Sequence, residues 1–242
     1  MSANSSVRSS DQKTDLTSAI VKRLLQVGVG VALQAVIMFL AVGRLDWLAG
    51  WVYLAVYVGG IVFLSFYLLP RDPELIAERG QVKEDTKGWD KWLATIIGLL
   101  CPLLTLLVAG LDRRFGWTLP LSPALRMGVL GIGVLGYALV LWAMVSNKFF
   151  SAVVRIQKDR GHSVVTDGPY RYVRHPGYVG LFIFNVVTPV WLGSLWGLIP
   201  AVIAALLVVV RTALEDRTLM NELDGYRDYA QEVRFRLLPG VW

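Results

Sequence analysis

Charge is scarce in this chain: Asp, Glu, Lys and Arg make up 17% of its 242 residues, against about 25% in an ordinary soluble domain. Cysteine occurs once, as Cys101. A disulfide framework and a cysteine-based metal site are therefore excluded, and Cys101, set in an apolar block, reads as a small buried hydrophobe. Histidine occurs twice, as His162 and His175, too few for a histidine-cluster metal site. No metal is expected.

What fills the chain instead is apolar sequence, 55% of all residues. It comes in blocks of about 20 without a polar face, the length a helix needs to cross roughly 30 Å of hydrocarbon. The expected spans are Leu24–Val42, Trp47–Leu69, Lys91–Leu111, Ala124–Ser146, Tyr178–Gly193 and Leu195–Leu214. The last two form a tight hairpin broken at Gly193-Ser194, its first arm barely long enough to span. The fold class is thus all-α, a polytopic membrane bundle of about six transmembrane helices with a cytoplasmic C-terminal helix. Residues 1–17 read as a disordered cytoplasmic tail, 18–146 as the N-terminal transmembrane helices and 147–242 as a C-terminal cofactor-binding region.

Basic residues orient this bundle. With the N-terminus inside, 20 of the 24 Lys and Arg fall on the cytoplasmic side and 4 outside, namely Arg44, Arg113, Arg114 and Arg126. Both termini are therefore expected in the cytoplasm. The net charge of +6 is explained by topology and anionic lipid headgroups, with no nucleic acid as partner.

Two polar clusters stand out. The first centres on "GPYRYVRHPGYVG", residues 168–180. Its Gly-Pro and Pro-Gly turns present Tyr170, Arg171, Tyr172, Arg174 and His175 from a stiff loop at the membrane surface, which suits either a binding loop or an interfacial anchor. The second follows the last span. Arg211, Glu215, Leu219, Glu222, Tyr226 and Tyr229 recur at helical spacing and are expected on one helix face. Ionisable groups at the edge of hydrocarbon, such as Arg211 and Glu215, mark functional sites, although an i,i+4 ion pair would also suit a helix leaving the bilayer. A G-x-G-x-x-G string, Gly131, Gly133 and Gly136, lies inside the fourth span. Without a preceding strand it reads as helix packing rather than a dinucleotide fingerprint. The charges of loop 70–91 alternate in sign and read as a solvated face.

Taken in this order, the motif string, the acidic pair Glu215-Asp216 and "ELDGYRDYAQEVRFRLLPG" resemble the isoprenylcysteine carboxyl methyltransferase family and the related membrane phospholipid methyltransferases. The resemblance covers about residues 147–240, and the family usually has Glu-Glu where this chain has Glu215-Asp216. It implies methyl transfer from S-adenosylmethionine held at the cytosolic face. Tyr170, Arg174, His175, Pro176 and Tyr178 would line the cofactor pocket, and Glu215 and Asp216 would close it. Gly131 and Gly133 would be the counterpart of a glycine pair assigned to cofactor binding in the phospholipid branch. Arg174 would take the cofactor carboxylate, Glu215 or Asp216 its ammonium, and Arg211 the head of a lipid-like acceptor, with Arg211 and Glu215 as the catalytic pair.

The acceptor expected is a carboxylate on a lipid-like small molecule, with membrane lipids around it. A phospholipid or amine N-methyltransferase stays open. An NADPH-dependent membrane reductase of sterol reductase type is disfavoured by size, since those enzymes are larger. A non-enzymatic scaffold would make Arg174, His175 and Glu215 dispensable for cofactor binding.

Overall fold

The computed structural model describes the backbone of residues 3–242 and the side chains of residues 15–242. The tail expected over residues 1–17 lies, up to residue 14, outside the described side chains. Nine α-helices are seen among the described residues: α1 (Ala3–Val42), α2 (Leu48–Leu68), α3 (Pro73–Glu78), α4 (Gly88–Thr95), α5 (Cys101–Phe115), α6 (Pro123–Val145), α7 (Pro176–Leu192), α8 (Leu198–Glu222) and α9 (Tyr226–Glu232). No strand occurs among them. Five stretches are long and apolar enough to cross a membrane: Asp15–Val42, Leu48–Leu68, Gly88–Phe115, Pro123–Val145 and Leu198–Glu222. The chain is a multi-pass membrane protein. The remaining expected span is α7, apolar but only 17 residues long.

Local chemistry sets most boundaries. Asp72 caps α3 by accepting from the Leu75 N–H at 3.0 Å, with Pro73 in the first turn. Ser122 caps α6 by accepting from the Leu125 N–H at 3.2 Å, again with proline next. Both follow the preference for an oxygen-bearing cap and proline in the first turn. α5 and α7 end at Gly116 and Gly193, each with positive φ, 70° and 88°, as helix ends that need a left-handed residue do.

The third span is longer than the expected Lys91–Leu111, and it is not uniform. A π-helical turn, Ile96–Leu100, joins α4 to α5, and the Cys101 N–H reaches back to the Ile96 carbonyl. Pro102 follows at once. Its ring would strike the carbonyl one turn back in a regular helix, and the wider π turn provides a way round. The last span also differs: α8 runs from Leu198 to Glu222, rather than Leu195 to Leu214.

Helix contacts are tightest where glycine allows them. A β-carbon on Gly180 of α7 would strike the Gly136 carbonyl oxygen of α6, and one on Gly136 would lie 2.8 Å from the Ile183 side chain. One on Gly133 would come within 2.9 Å of Val187. On the other side of the bundle, Gly110 of α5 receives Ala41 and the Met38 carbonyl of α1.

The two ends of the bundle are packed differently. At one end Met38, Trp47, Tyr53, Leu106, Ala109 and Leu192 form a closed core. There the buried Asp112 accepts from the Thr118 N–H at 2.7 Å, the Thr118 hydroxyl at 2.6 Å and the Ser194 hydroxyl, locking the α7–α8 turn to the end of α5. The opposite end carries the polar loops and holds a cavity. Outward faces expose large apolar groups such as Leu25, Phe66, Trp92 and Leu135, as lipid contact requires.

Candidate functional site

The cavity measures about 780 Å³, within the roughly 300–1,000 Å³ of small-molecule sites. Its apolar walls come from α1, α2, the π turn, α5 and α6, and include Ile61, Ile97, Pro102, Leu103, Val140 and Leu141. Its polar wall carries Asn147, Tyr170, Arg174, His175, Tyr178, Arg211 and Glu215. One cavity thus joins the apolar surface of the spanning helices to the polar end of the bundle.

The loop that opens this wall is built by its glycine and prolines. Gly168, at φ 59°, packs against Ser146 and Trp142, where a β-carbon would clash with the serine hydroxyl. Gly168–Arg171 then makes a 3-10 turn, and Pro176 starts α7. Between the two, the Arg174 and His175 N–H groups donate to the carbonyls of Phe235 and Arg236, at 2.9 and 3.0 Å. The C-terminal segment therefore straps the loop from behind.

Asp216 is the hub of that strap and is 1% exposed. Its Oδ1 accepts from Arg174 Nε at 2.7 Å and the Tyr226 hydroxyl at 2.9 Å, and lies 3.2 Å from His175 Nε2. Its Oδ2 accepts from Arg174 Nη2 at 3.0 Å and Arg236 Nε at 2.7 Å. Arg174 Nη1 donates to the Val233 and Arg234 carbonyls, both at 2.8 Å. Four of the five guanidinium N–H donors of Arg174 are thereby engaged. Burial works against its charge, but the bonds to Asp216 prevail and hold its pKa above the ordinary value.

Glu215, the next residue on α8, is half-buried and faces the cavity. It accepts a short hydrogen bond from the Tyr178 hydroxyl, and the Tyr178 ring stacks on His175 with centroids 5.8 Å apart. The remaining acceptor sites of a carboxylate are open to a cationic partner. Tyr170 is held at both ends: its hydroxyl accepts from Asn147 Nδ2 at 3.2 Å, and its carbonyl accepts from the Tyr229 hydroxyl at 2.7 Å.

Arg211 is tied elsewhere. Its Nε and Nη2 bind Asp90 at 2.6 and 3.0 Å, and Nη2 also donates to the Ala152 carbonyl at 2.9 Å. Asp90 is fully buried and accepts from the Val154 N–H at 2.6 Å as well. The Arg211 cation is thus already neutralised, which removes the geometric basis for giving it a substrate carboxylate.

Of the residues expected from sequence, Tyr170, Arg174, His175, Tyr178, Arg211 and Glu215 come together on the cavity wall. Pro176 and Asp216 stand behind it. Gly131 and Gly133 are not brought there: Gly131 faces open space and Gly133 packs against α7. The stripe from Arg211 to Tyr229 is not one helix face. α8 ends at Glu222, and Gly225, at φ 77°, turns the chain into α9. Leu219, Tyr226 and Tyr229 still reach the cavity, whereas Glu222 is exposed and pairs with Lys87 at 2.7 Å. Loop 70–91 is not a uniformly solvated face either. Glu78 and Asp90 are buried in ion pairs with Arg155 and Arg211. Asp90, Arg236 and Asn147 are site-organising residues that sequence reasoning missed. Only the placement of "GWDKW" at the mouth of an apolar span hinted at Asp90.

Comparison with known proteins points to one family. The family model described as the isoprenylcysteine carboxyl methyltransferase (ICMT) family matches residues 129–221, from within α6 to near the end of α8. A protein-S-isoprenylcysteine O-methyltransferase of Schizosaccharomyces pombe is 33% identical over 157 residues, covering 60% of this chain and 66% of the relative. The mouse protein of the same name is 34% identical over 86 residues, 35% of this chain and 30% of its own length. A probable protein-S-isoprenylcysteine O-methyltransferase of Oryza sativa subsp. indica is 40% identical over 52 residues, 22% of this chain and 27% of the relative. In each case the match spans less than two thirds of the relative. Through the stretch that carries the Arg-His-Pro-x-Tyr loop and the acidic pair of α8, the chain is similar to the isoprenylcysteine carboxyl methyltransferase family.

Proposed function

We propose that this protein transfers a methyl group from S-adenosylmethionine to the carboxylate of a lipid-tailed acceptor, at the cytoplasmic end of the bundle. The observation that carries this reading is Glu215. It is a carboxylate facing a cavity that also has apolar, membrane-deep walls, and its sole hydrogen-bond partner among the described residues is the Tyr178 hydroxyl. The names of the relatives, all O-methyltransferases of S-isoprenylcysteine, support a carboxyl oxygen as acceptor over an amine.

The residues present fit the methyl donor. Glu215 would hold its ammonium by a charge-assisted bond. Tyr170 and the stacked His175–Tyr178 pair offer aromatic surface and hydrogen-bonding groups for adenine. Arg174 acts as a positioning residue, since Asp216 and two strap carbonyls engage most of its donors. When bound, S-adenosylmethionine would supply an electrophilic methyl group, with its sulfur as the leaving group, to the acceptor oxygen. A carboxylate nucleophile carries no proton, so no general base is required of the chain. The contribution of the protein is alignment, which is worth several kcal/mol when reactants are held in line, and exclusion of water by the apolar walls.

The test is transfer of labelled methyl from S-adenosylmethionine to S-farnesylcysteine derivatives in detergent or nanodiscs, comparing wild type with Glu215→Gln. Label in the base-labile ester fraction, with donor affinity about tenfold or more weaker in the variant, is the expected result. Equal transfer by both proteins, or label found only in amine products, would overturn the reading.

A further inference from the structure

A carboxylate acceptor requires a cation in the cavity, and Arg211 is neutralised by Asp90. Of the other cations lining the cavity, Arg155 and Arg174 are paired with Glu78 and Asp216, and Lys91 is exposed at the start of the third span. That leaves Arg79 and Arg23, both half-buried cavity-lining residues. Among the described residues, neither has a carboxylate within ion-pair distance.

The two are held together by backbone packing. Gly80, beside Arg79, lies so close to α1 that a β-carbon on it would sit 3.1 Å from the Arg23 Cβ. Gln26, on the same helix, donates to the Gly80 carbonyl at 3.3 Å. The Arg79 guanidinium lies over the Phe150 ring at 5.2 Å and donates to the Phe150 carbonyl at 3.3 Å. It is within charge–charge range of Arg211 on the polar side and of Tyr57 and Tyr137 on the membrane side. Burial first, and then the neighbouring Arg23, lower its pKa to about 10, so it remains charged at neutral pH. Two like charges crowded into a partly dehydrated space are unfavourable for the empty fold, and an anion placed between them relieves both terms.

We propose that Arg79, assisted by Arg23, is the subsite that takes the carboxylate of the lipid-tailed acceptor. This deepens the methyltransferase reading and rests on it. One carboxylate oxygen bound by the guanidinium leaves the other for methylation, and the tail is left to the apolar walls. The same cationic chemistry would suit the phosphate of an anionic phospholipid, so the experiment must separate the two sources.

Binding of N-acetyl-S-farnesylcysteine and of its carboxamide is compared by calorimetry for the full chain in phosphatidylcholine nanodiscs, with S-adenosylmethionine affinity measured alongside. Wild type should bind the carboxylate at least tenfold tighter than the amide. Arg79→Gln should reduce that preference to less than twofold, Arg23→Gln should reduce it in part, and Arg79→Lys should keep some of it. Donor affinity within twofold of wild type in every variant verifies that the fold is intact. A wild type without carboxylate preference, or an Arg79→Gln protein that keeps it, overturns the proposal. So does a preference abolished by replacing phosphatidylcholine with phosphatidylglycerol, which would assign the pair to a lipid headgroup. Failure of the methyltransferase reading gives a different pattern: no binding of S-adenosylmethionine to wild type, with the carboxylate preference untouched.

Discussion

Arg211 on α8 and Asp90 at the start of α4 meet side-on, Nε to Oδ1 at 2.6 Å and Nη2 to Oδ2 at 3.0 Å, 121 residues apart in sequence. The pair closes the polar end of the bundle and pins the chain at 152–154 through the Ala152 carbonyl and the Val154 N–H. Removing one partner of a buried pair leaves an uncompensated charge. Asp90→Ala should therefore destabilise the protein by about 3–5 kcal/mol, read from unfolding in detergent. The double replacement Asp90→Leu with Arg211→Met should recover much of that loss. Recovery will be incomplete, because the Val154 N–H still lacks its acceptor, a deficit of about 1–3 kcal/mol.

Asp216 offers a graded contrast. Tyr226→Phe removes one of its hydrogen bonds and should cost about 1 kcal/mol without weakening methyl-donor binding. Asp216→Ala strands both Arg174 and Arg236 and releases the strap. It should lose several kcal/mol and also the donor affinity, although Asp216 itself is turned away from the cavity. Unfolding and calorimetry on the same two variants check both statements.

The glycines of α6 and α7 separate packing from ligand binding. A methyl group at Gly131 meets nothing within 4 Å, so Gly131→Ala should be neutral or stabilising by up to about 1 kcal/mol and should leave donor affinity unchanged. At Gly180 the same methyl strikes the Gly136 backbone, and Gly180→Ala should cost about 1–3 kcal/mol. Loss of donor binding in Gly131→Ala would reinstate the glycine string as a ligand site.

His162 gives the fold an acid sensitivity. Burial first, then the Arg155 and Arg160 guanidinium groups, lower its pKa to about 4. The unfolded chain binds a proton near the ordinary histidine value of about 6.5, while the folded chain does not until pH 4. The unfolded state therefore holds more protons in that window, and stability falls as pH drops through it. His162→Phe should flatten the stability profile between pH 6.5 and 4, measured by chemical unfolding at a series of pH values.

Periodicity and span length made the helices readable, because hydrocarbon imposes a length and forbids unsatisfied backbone. The motif string and Glu215 were readable for a related reason: ionisable and turn residues have few other uses at a membrane edge. The π turn was not, since Pro102 alone does not say whether a helix kinks, breaks or widens. Nor was the division of labour within the site. Arg174 and Arg211 look alike as cations in sequence, and so do Glu215 and Asp216 as carboxylates. What ties up each arginine, and which carboxylate stays open, depends on Asp90, Val233, Arg234 and Arg236, which lie on other segments of the chain.

The shortness of α7 has a consequence for how two dissimilar reactants could meet. Its 17 residues reach roughly 26 Å at about 1.5 Å per residue, less than the hydrocarbon thickness its neighbours span. A bilayer relieves such hydrophobic mismatch by thinning locally. Thinning at the end where α7 begins would fall at Pro176, beside Tyr178, Glu215 and Arg211. Water would then dip to the depth of the cavity mouth while acyl chains still surround the outer faces of α1 and α2. A water-soluble cation and a lipid tail could reach one small volume without either crossing into the other's solvent.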